Sequence, residues 1–229
     1  MKLFDHVGID PIEMETVTID GKRYYLTPSG KHYPSITTVI GSNSKKQAGL
    51  AKWRARVGKE KAQLKSTRSA ARGTRYHKLV EDYLNNELDK KRYKDMPIPW
   101  FMFNSSQKVL DRINNIYLQE AALYSDTLEI AGRVDCIAEF DGELSIIDFK
   151  TSEKKKKEEY LLDYYVQECA YACMLQENYN LSVKQLVTIV ATEEGDPQVS
   201  VVPPRKEYLF LLQDYIQEYR DKHARQLGG

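Results

Sequence analysis

Apolar and polar residues run through two neighbouring stretches, 132–140 and 143–150, on either side of Asp141-Gly142. Each stretch has strand length, and Asp-Gly suits the two central positions of a type I′ turn, so the pattern predicts a β-hairpin. The register follows from the turn. Phe140 faces Glu143, and counting outward brings Asp135 opposite Asp148. Facing residues have Cβ atoms roughly 4.5–5.5 Å apart. Side chains two apart on a strand share a face, so Lys150 projects beside Asp148. Val134, Cys136, Ile137, Ile146, Ile147 and Phe149 make both strands nearly continuously apolar, as expected for strands covered on both faces.

The same reading extends along the chain. Residues 16–19 and 22–26 alternate around Asp20-Gly21, predicting a small entry hairpin, and 27–34 reads as loop. Ser35 is placed to cap a short helix carrying Ile36, Val39 and Ile40, which Gly41 stops. A helix is predicted over 47–65 with few large apolar residues, and Gly73 and Thr74 introduce another with Leu79, Val80, Leu84 and Leu88 as its stripe. Residues 89–99 form a charged connector. The apolar positions from Trp100 to Leu118 suit a long amphipathic helix, with a first strand at 123–130 leading into the hairpin. Beyond it come a Lys-rich loop over 151–157, a helix at 158–177, strands at 184–192 and 198–202, and a closing helix at 205–225. The class is α/β or α+β: a mixed sheet of about five strands flanked by helices, in one layered domain over 1–229. Within it, 1–44 is a lead-in, 45–122 a basic helical region and 123–229 the sheet core.

Charge changes this picture. The formal net charge is only +1, but residues 45–78 hold twelve Lys/Arg and a single acid, Glu60, so that segment carries +11 and the remainder −10. A basic segment in a nearly neutral protein points to a polyanion at that segment, where Lys52, Arg56, Lys59 and Arg72 are the candidate contacts. The bland alternative is a solvated surface helix. Ser35 and Thr37 put hydroxyls at a helix N-terminus, which suits a phosphate and equally suits ordinary capping.

The hairpin carries the candidate chemistry. Like charges directly opposed in a buried sheet are destabilising, so Asp135 and Asp148 call for an offsetting charge. A divalent cation such as Mg²⁺ or Mn²⁺ would supply it; a structural Asp135–Lys150 ion pair is the alternative. His77 and Glu81 lie one helical turn apart, as do Gln167 and Tyr171. Three cysteines, Cys136, Cys169 and Cys173, give no disulfide framework and read as packing residues. The stretch from Gly41 to Lys45 lacks Walker spacing, so no ATP-driven chemistry is expected. No apolar run approaches the roughly 20 residues that span a bilayer. The start MKLFDHVGIDPIEME has neither a signal core nor an Arg-rich presequence, which leads to the expectation of a cytoplasmic protein without membrane contact.

The ordered set Gly73-Thr74-x-x-His77-x-x-x-Glu81, Gly132-x-x-Asp135, Asp148-Phe149-Lys150-Thr151 and Gln167-x-x-x-Tyr171 resembles the RecB-like branch of the PD-(D/E)xK nuclease superfamily. It covers about 100 of the 229 residues. The stretch GRVDCIAEFDGELSIIDFKTSEK is similar to the mitochondrial genome maintenance type within it, and Pro34-Ser-Ile-Thr suits that type's early segment. The resemblance implies a restriction-endonuclease-like core with an N-terminal helical extension, and metal-assisted phosphodiester hydrolysis. It implies His77, Asp135 and Asp148 as metal ligands, joined by the Phe149 carbonyl, with Lys150 as catalytic lysine. Thr74, Gln167 and Tyr171 would position DNA, and Glu81 and Glu120 are weaker candidates that a helical salt bridge also explains. The four cysteines of iron–sulfur relatives are missing, so no cluster is expected. The expected partner is DNA, single-stranded and cut from an end, handled by a monomer of bacterial or phage origin working with replication, recombination or repair proteins. A double-strand or structure-specific nuclease and a non-catalytic DNA-binding module are the competing readings.

Overall fold

At Asp141 and Gly142 the backbone takes φ values of 54° and 82°, the two left-handed positions of a type I′ turn, and the central hairpin closes there. The computed structural model describes residues 2–227; Met1, Gly228 and Gly229, which the expected domain includes, lie outside the described residues. In chain order the elements are β1 (Glu15–Ile19), β2 (Lys22–Leu26), β3 (His32–Pro34), α1 (Ile36–Gly41), α2 (Ser44–Val57), α3 (Lys59–Leu84) and α4 (Pro97–Leu110). There follow β4 (Ile113–Ser125), β5 (Ile130–Phe140), β6 (Glu143–Ser152), α5 (Leu162–Tyr179), β7 (Gln185–Thr192), β8 (Gln198–Val202) and α6 (Lys206–Leu227). The large sheet has the order β4-β5-β6-β7-β8 and is mixed, since β6 and β7 run parallel and the other pairs antiparallel. This is the α+β class expected.

Each central strand divides its side chains between two cores. On one face Cys136, Ile147, Phe149, Val187 and Ile189 pack with Tyr76, Leu79 and Tyr83 of α3 and Met102 and Phe103 of α4. On the other, Val134, Ile137, Ile146, Leu186 and Val190 meet Ile36 of α1, Val166 and Met174 of α5 and Leu212 of α6. Period-2 alternation with both faces apolar explains the continuous runs in the sequence. No helix among the described residues is long and apolar enough to cross a membrane.

Four local expectations are corrected. Residues 113–118 are not the end of a helix: α4 stops at Leu110, and β4 runs from Ile113 through Ser125, well before the strand expected at 123–130. The apolar spacing there fits a helix, but Asp111 accepts from Tyr83, and Arg112 pairs with Asp141 at the hairpin turn, so tertiary contacts turn the chain into the sheet. Gly73 and Thr74 do not start a helix; they lie inside α3, where Gly73 passes β6 closely enough that a Cβ would stand 3.7 Å from the Thr151 hydroxyl. The helix expected over 47–65 breaks at Gly58, whose φ of 86° is left-handed, a backbone glycine adopts without a steric penalty. Finally, His32–Pro34 is a third strand on the entry hairpin, not loop, and Ser35 bridges it to Ala131 of β5.

Gly132 on β5 marks the tightest approach between sheet and helix. A Cβ there would lie 2.8 Å from Tyr171 Cε1 and 3.1 Å from Ile36 Cγ2. Tyr171 is buried and its hydroxyl donates to the Arg133 carbonyl at 2.7 Å, so the ring has little room to retreat. Gly132→Ala is therefore expected to destabilise the fold by about 1–3 kcal/mol in urea denaturation. An unchanged midpoint would show that Tyr171 yields.

Candidate active site

β5 and β6 pair only from the turn to Cys136 and Ile147. Beyond that point β5 stays with β4 and β6 with β7, so Asp135 and Asp148, the next facing pair, stand where the two strands part. There the Phe149 N–H donates to Asp135 Oδ2 at 2.8 Å, a side chain taking the place of a strand carbonyl. The opening lets two helices reach in from opposite faces. His77 arrives on α3 and Gln167 on α5.

On β4, the pairs Gln119 with Cys136 and Ala121 with Val134 bring Glu120 level with Asp135. Glu120 has a left-handed φ of 47°, a local irregularity within β4, whose pairing with β5 continues on both sides of it. Its Oε1 lies 3.7 Å from His77 Nδ1, and that nitrogen lies 3.8 Å from Asp135 Oδ2. One donor atom from each of these three residues falls within a 4.8 Å group. Asp148 is buried beside them; its Oδ2 is met by the Lys150 ammonium, and Gln167 Nε2 donates to its Oδ1 at 3.3 Å. Behind Asp148 lies Glu168, fully buried, which accepts from the Thr188 hydroxyl; Thr188 is the β7 neighbour of Asp148.

Burial sets the electrostatics. It pushes the Asp148 carboxyl up to about 6, with Asp135 adding to the shift and Lys150 opposing it. Burial works against charge on Lys150 too, but Asp148 and then Asp135 more than offset it and hold the ammonium's pKa above its ordinary value. The His77 imidazolium is disfavoured by burial, yet Glu120 and Asp135 together raise its pKa. Burial, then the charge of Asp148, keeps Glu168 well above the usual carboxylate range. Three carboxylates, Glu120, Asp135 and Asp148, thus face one ammonium and one imidazole. This hard oxygen-and-imidazole set with surplus negative charge fits a divalent cation, and donor spacings of 3.7 and 3.8 Å are only a little wider than ligands around an ion with bonds of roughly 2.1 Å require.

The structure brings His77, Asp135, Asp148 and Lys150 together, and it places Glu120, expected only as a weaker candidate, with His77 and Asp135 in one group of potential ligand atoms. Phe149 sits beside His77 with ring centroids 6.4 Å apart. Thr74 and Glu81 line a cavity of about 380 Å³ with Gly73, His77, Lys78 and Glu120, and Glu81 pairs with Lys78 at 3.2 Å. Gln167 and Tyr171 have protein partners, Asp148 and the Arg133 carbonyl. Ser35 is buried and caps α1, accepting from the Thr38 N–H at 3.1 Å, while Thr37 is exposed. Lys52, Arg56 and Lys59 are exposed and, among the described residues, make no ion pair. Arg72 is different: it is buried and its guanidinium donates to Glu193 at 2.5 Å.

Glu120 was readable only as a weak candidate because the strand that aligns it with Asp135 carries a helix-like apolar pattern. Tyr164 was missed altogether. It precedes Gln167 by three and Tyr171 by seven residues on α5, the spacing of one helical face, and that stripe was the available signal.

Residues 46–227 match the model of the PD-(D/E)XK nuclease superfamily. The chain is 28% identical over 173 residues to mitochondrial genome maintenance exonuclease 1 of Homo sapiens and 30% identical over 175 residues to that of Xenopus tropicalis. Each match covers 72% of this chain and 50% of the relative, so the chain spans about half the length of the curated relatives it matches. A crystal structure of a candidate exonuclease from Eubacterium rectale superposes with a TM-score of 0.46 at 11% identity, covering 67% of this chain and 66% of that one.

The raised pKa of Asp148 has a definite sign for stability. Folding lifts this carboxyl from 3.8 to about 6, so its protonated form favours the fold; that contribution is complete below pH 4 and lost as pH rises through 6. Asp148→Asn has no such loss. In EDTA, the stability of the variant relative to wild type should increase between pH 4 and pH 7, by at most about 3 kcal/mol. Urea denaturation at the two pH values measures it, and a constant difference would mean that Lys150 already compensates fully for the buried charge.

Proposed function

The chain belongs to the PD-(D/E)XK nuclease superfamily, and on that premise we propose that it is a divalent-metal-dependent deoxyribonuclease acting on single-stranded DNA from an end. The observation that carries this reading is the convergence of His77, Glu120, Asp135 and Asp148 on the gap between β5 and β6, with Lys150 alongside. His77, Glu120, Asp135 and Asp148 would hold the ion. When bound, it supplies Lewis acidity toward the scissile phosphate and makes water a better nucleophile. The remaining work falls to the chain. Lys150, kept cationic by Asp148 and Asp135, stabilises charge that develops on the phosphate oxygens and orients the attacking water. Gln167 fixes the Asp148 carboxylate through Oδ1 while Lys150 meets its Oδ2, and the Phe149 N–H fixes the Asp135 Oδ2 that faces His77, so both acids are held in position at the gap.

Lys52, Arg54 and Arg56 of α2 and Lys59, Lys61 and Lys65 of the first turns of α3 would grip phosphates without reading bases, since they are exposed and, among the described residues, make no ion pair, whereas Lys46 is taken up by Asp163. Cleavage from an end is supported by likeness to relatives named exonucleases, and the preference for single strands rests on the resemblance carried by the sequence motifs. End-labelled single-stranded, duplex and circular DNA, each with Mg²⁺ or Mn²⁺, tests it; faster cleavage of a duplex or of circles would replace it with a double-strand or endonucleolytic activity.

Asp148→Ala and Lys150→Ala should lower kcat by roughly 100- to 1,000-fold or more while DNA is still bound. His77→Ala should shift the Mn²⁺ requirement upward, with activity returning at higher concentration; unaltered metal dependence would leave His77 a structural residue. Reversing Lys52, Arg56 and Lys59 to Glu should weaken DNA binding across sequences. Each lost phosphate contact should flatten the slope of log K against log[salt] by roughly 0.7. An unaltered slope between 50 and 300 mM salt (roughly the range over which such effects are read) would mean that the segregated charge has no bearing on substrate.

A further inference from the structure

Four lysines, 154–157, follow β6, and three of them, Lys154, Lys155 and Lys157, are exposed. Lys156 is held differently. Its N–H donates to the Gln198 side-chain oxygen at 2.7 Å, and its carbonyl accepts from the Gln198 side-chain nitrogen at 2.9 Å. This reciprocal clamp from β8 fixes one backbone unit of an otherwise solvated loop. The Lys156 ammonium lies 5.8 Å from the centre of the Tyr164 ring, and the Lys150 ammonium lies 5.2 Å from the same ring. Tyr164 therefore joins the catalytic lysine to a second, anchored one.

We propose that Lys156 and Tyr164 form a second phosphate subsite, which holds the phosphodiester adjacent to the scissile one; this rests on the nuclease reading above. Lys156 is half-buried, and among the described residues no carboxylate lies within ion-pair distance of it. Its neighbours are cations. Burial, then Arg72 and Lys46, push its pKa below the ordinary lysine value. The two neighbours are themselves paired, Arg72 with Glu193 at 2.5 Å and Lys46 with Asp163 at 2.8 Å, so neither their charge nor their acids satisfy Lys156. A partly desolvated ammonium on a clamped backbone, without a counterion, is a site for an anion. Among the described residues the Tyr164 hydroxyl has no hydrogen-bond partner, and it is free to donate to the same phosphate. Lys150 then serves the scissile phosphate, the Tyr164 ring underlies the sugar between, and Lys156 takes the next phosphate along the strand.

The test separates an anchored subsite from a general electrostatic guide. Short single-stranded DNA is prepared with one neutral methylphosphonate at each position in turn, and its binding to wild type, Lys156→Met and Lys155→Met is measured in EDTA. Lys156→Met should bind the unmodified strand about ten-fold more weakly and Lys155→Met less than about two-fold, as expected for a desolvated against an exposed charge contact. One methylphosphonate position should weaken wild type and have no further effect in Lys156→Met, and Lys156→Arg should restore part of the affinity. Equal losses in the two methionine variants, or the same methylphosphonate profile in Lys156→Met as in wild type, would overturn the subsite. Thermal denaturation checks that the variants fold, which the backbone clamp by Gln198 favours. Cleavage with Mn²⁺ is read in parallel: a wild type that binds with the expected profile but does not cleave would refute the nuclease reading and leave the subsite standing.

Discussion

Phe149 donates its N–H to the carboxylate of Asp135 instead of to a strand carbonyl, and the rest of the site depends on that exchange. A buried backbone N–H must find an acceptor, and a carboxylate that accepts it also acquires a fixed position. Pairing between β5 and β6 can then stop in the middle of a well-packed sheet without an orphaned donor at Phe149. Each strand keeps its other neighbour. Above the break β5 is secured by β4, by the bridge from Ser35 to Ala131 and by the Tyr171 hydroxyl on the Arg133 carbonyl, while β6 runs on beside β7. The gap is therefore held by strand pairing on both sides, which is what the proposed placement of metal ligands and of the Lys150 ammonium would require.

The charges in that gap oppose the fold that holds them. Asp135 has Glu120 level with it on one strand and Asp148 opposite on the other, and Glu168 lies buried behind Asp148. Only Lys150 and His77 stand against this excess. The protein accepts the strain because two large cores, one on each face of the sheet, carry the stability. Departures from favourable local rules concentrated at one place, within an otherwise consistent fold, are the usual mark of a site kept for chemistry.

That place was largely legible in the sequence, and the reasons are physical. Asp141-Gly142 specifies one turn type, the turn fixes the register, and the register alone brings Asp135, Asp148 and Lys150 to one spot. Glu120 was harder because the apolar positions from Val109 to Leu118 satisfy helical as well as strand spacing; only contacts remote in sequence, such as Arg112 with Asp141, decide between them. Arg72 shows the reverse failure. Its place in a basic run suggested a phosphate contact, but Glu193, 121 residues away, pairs with it inside the fold. A charge run announces a field, not which of its members are already neutralised.

The 26-residue α3 ties grip to chemistry. Its second half is packed into the core through Tyr76, Leu79, Val80 and Tyr83 and carries His77 to the metal-facing group, while its first half extends outward with Lys59, Lys61 and Lys65 exposed. From Lys59 to His77 the helix rises about 27 Å at 1.5 Å per residue. At the duplex spacing of roughly 3.4 Å per nucleotide along one strand, about eight nucleotides would touch both ends, and a more extended single strand needs fewer. Under the proposed reading, then, the outer lysines Lys59, Lys61 and Lys65 would contribute little to a short oligonucleotide and their full charge to a long one. The Lys156–Tyr164 subsite, next to Lys150, acts on both. Under that reading, two separate phosphate grips at different distances from one reaction centre would hold a long strand while its terminal nucleotides, bound only by the near grip, are cut and released.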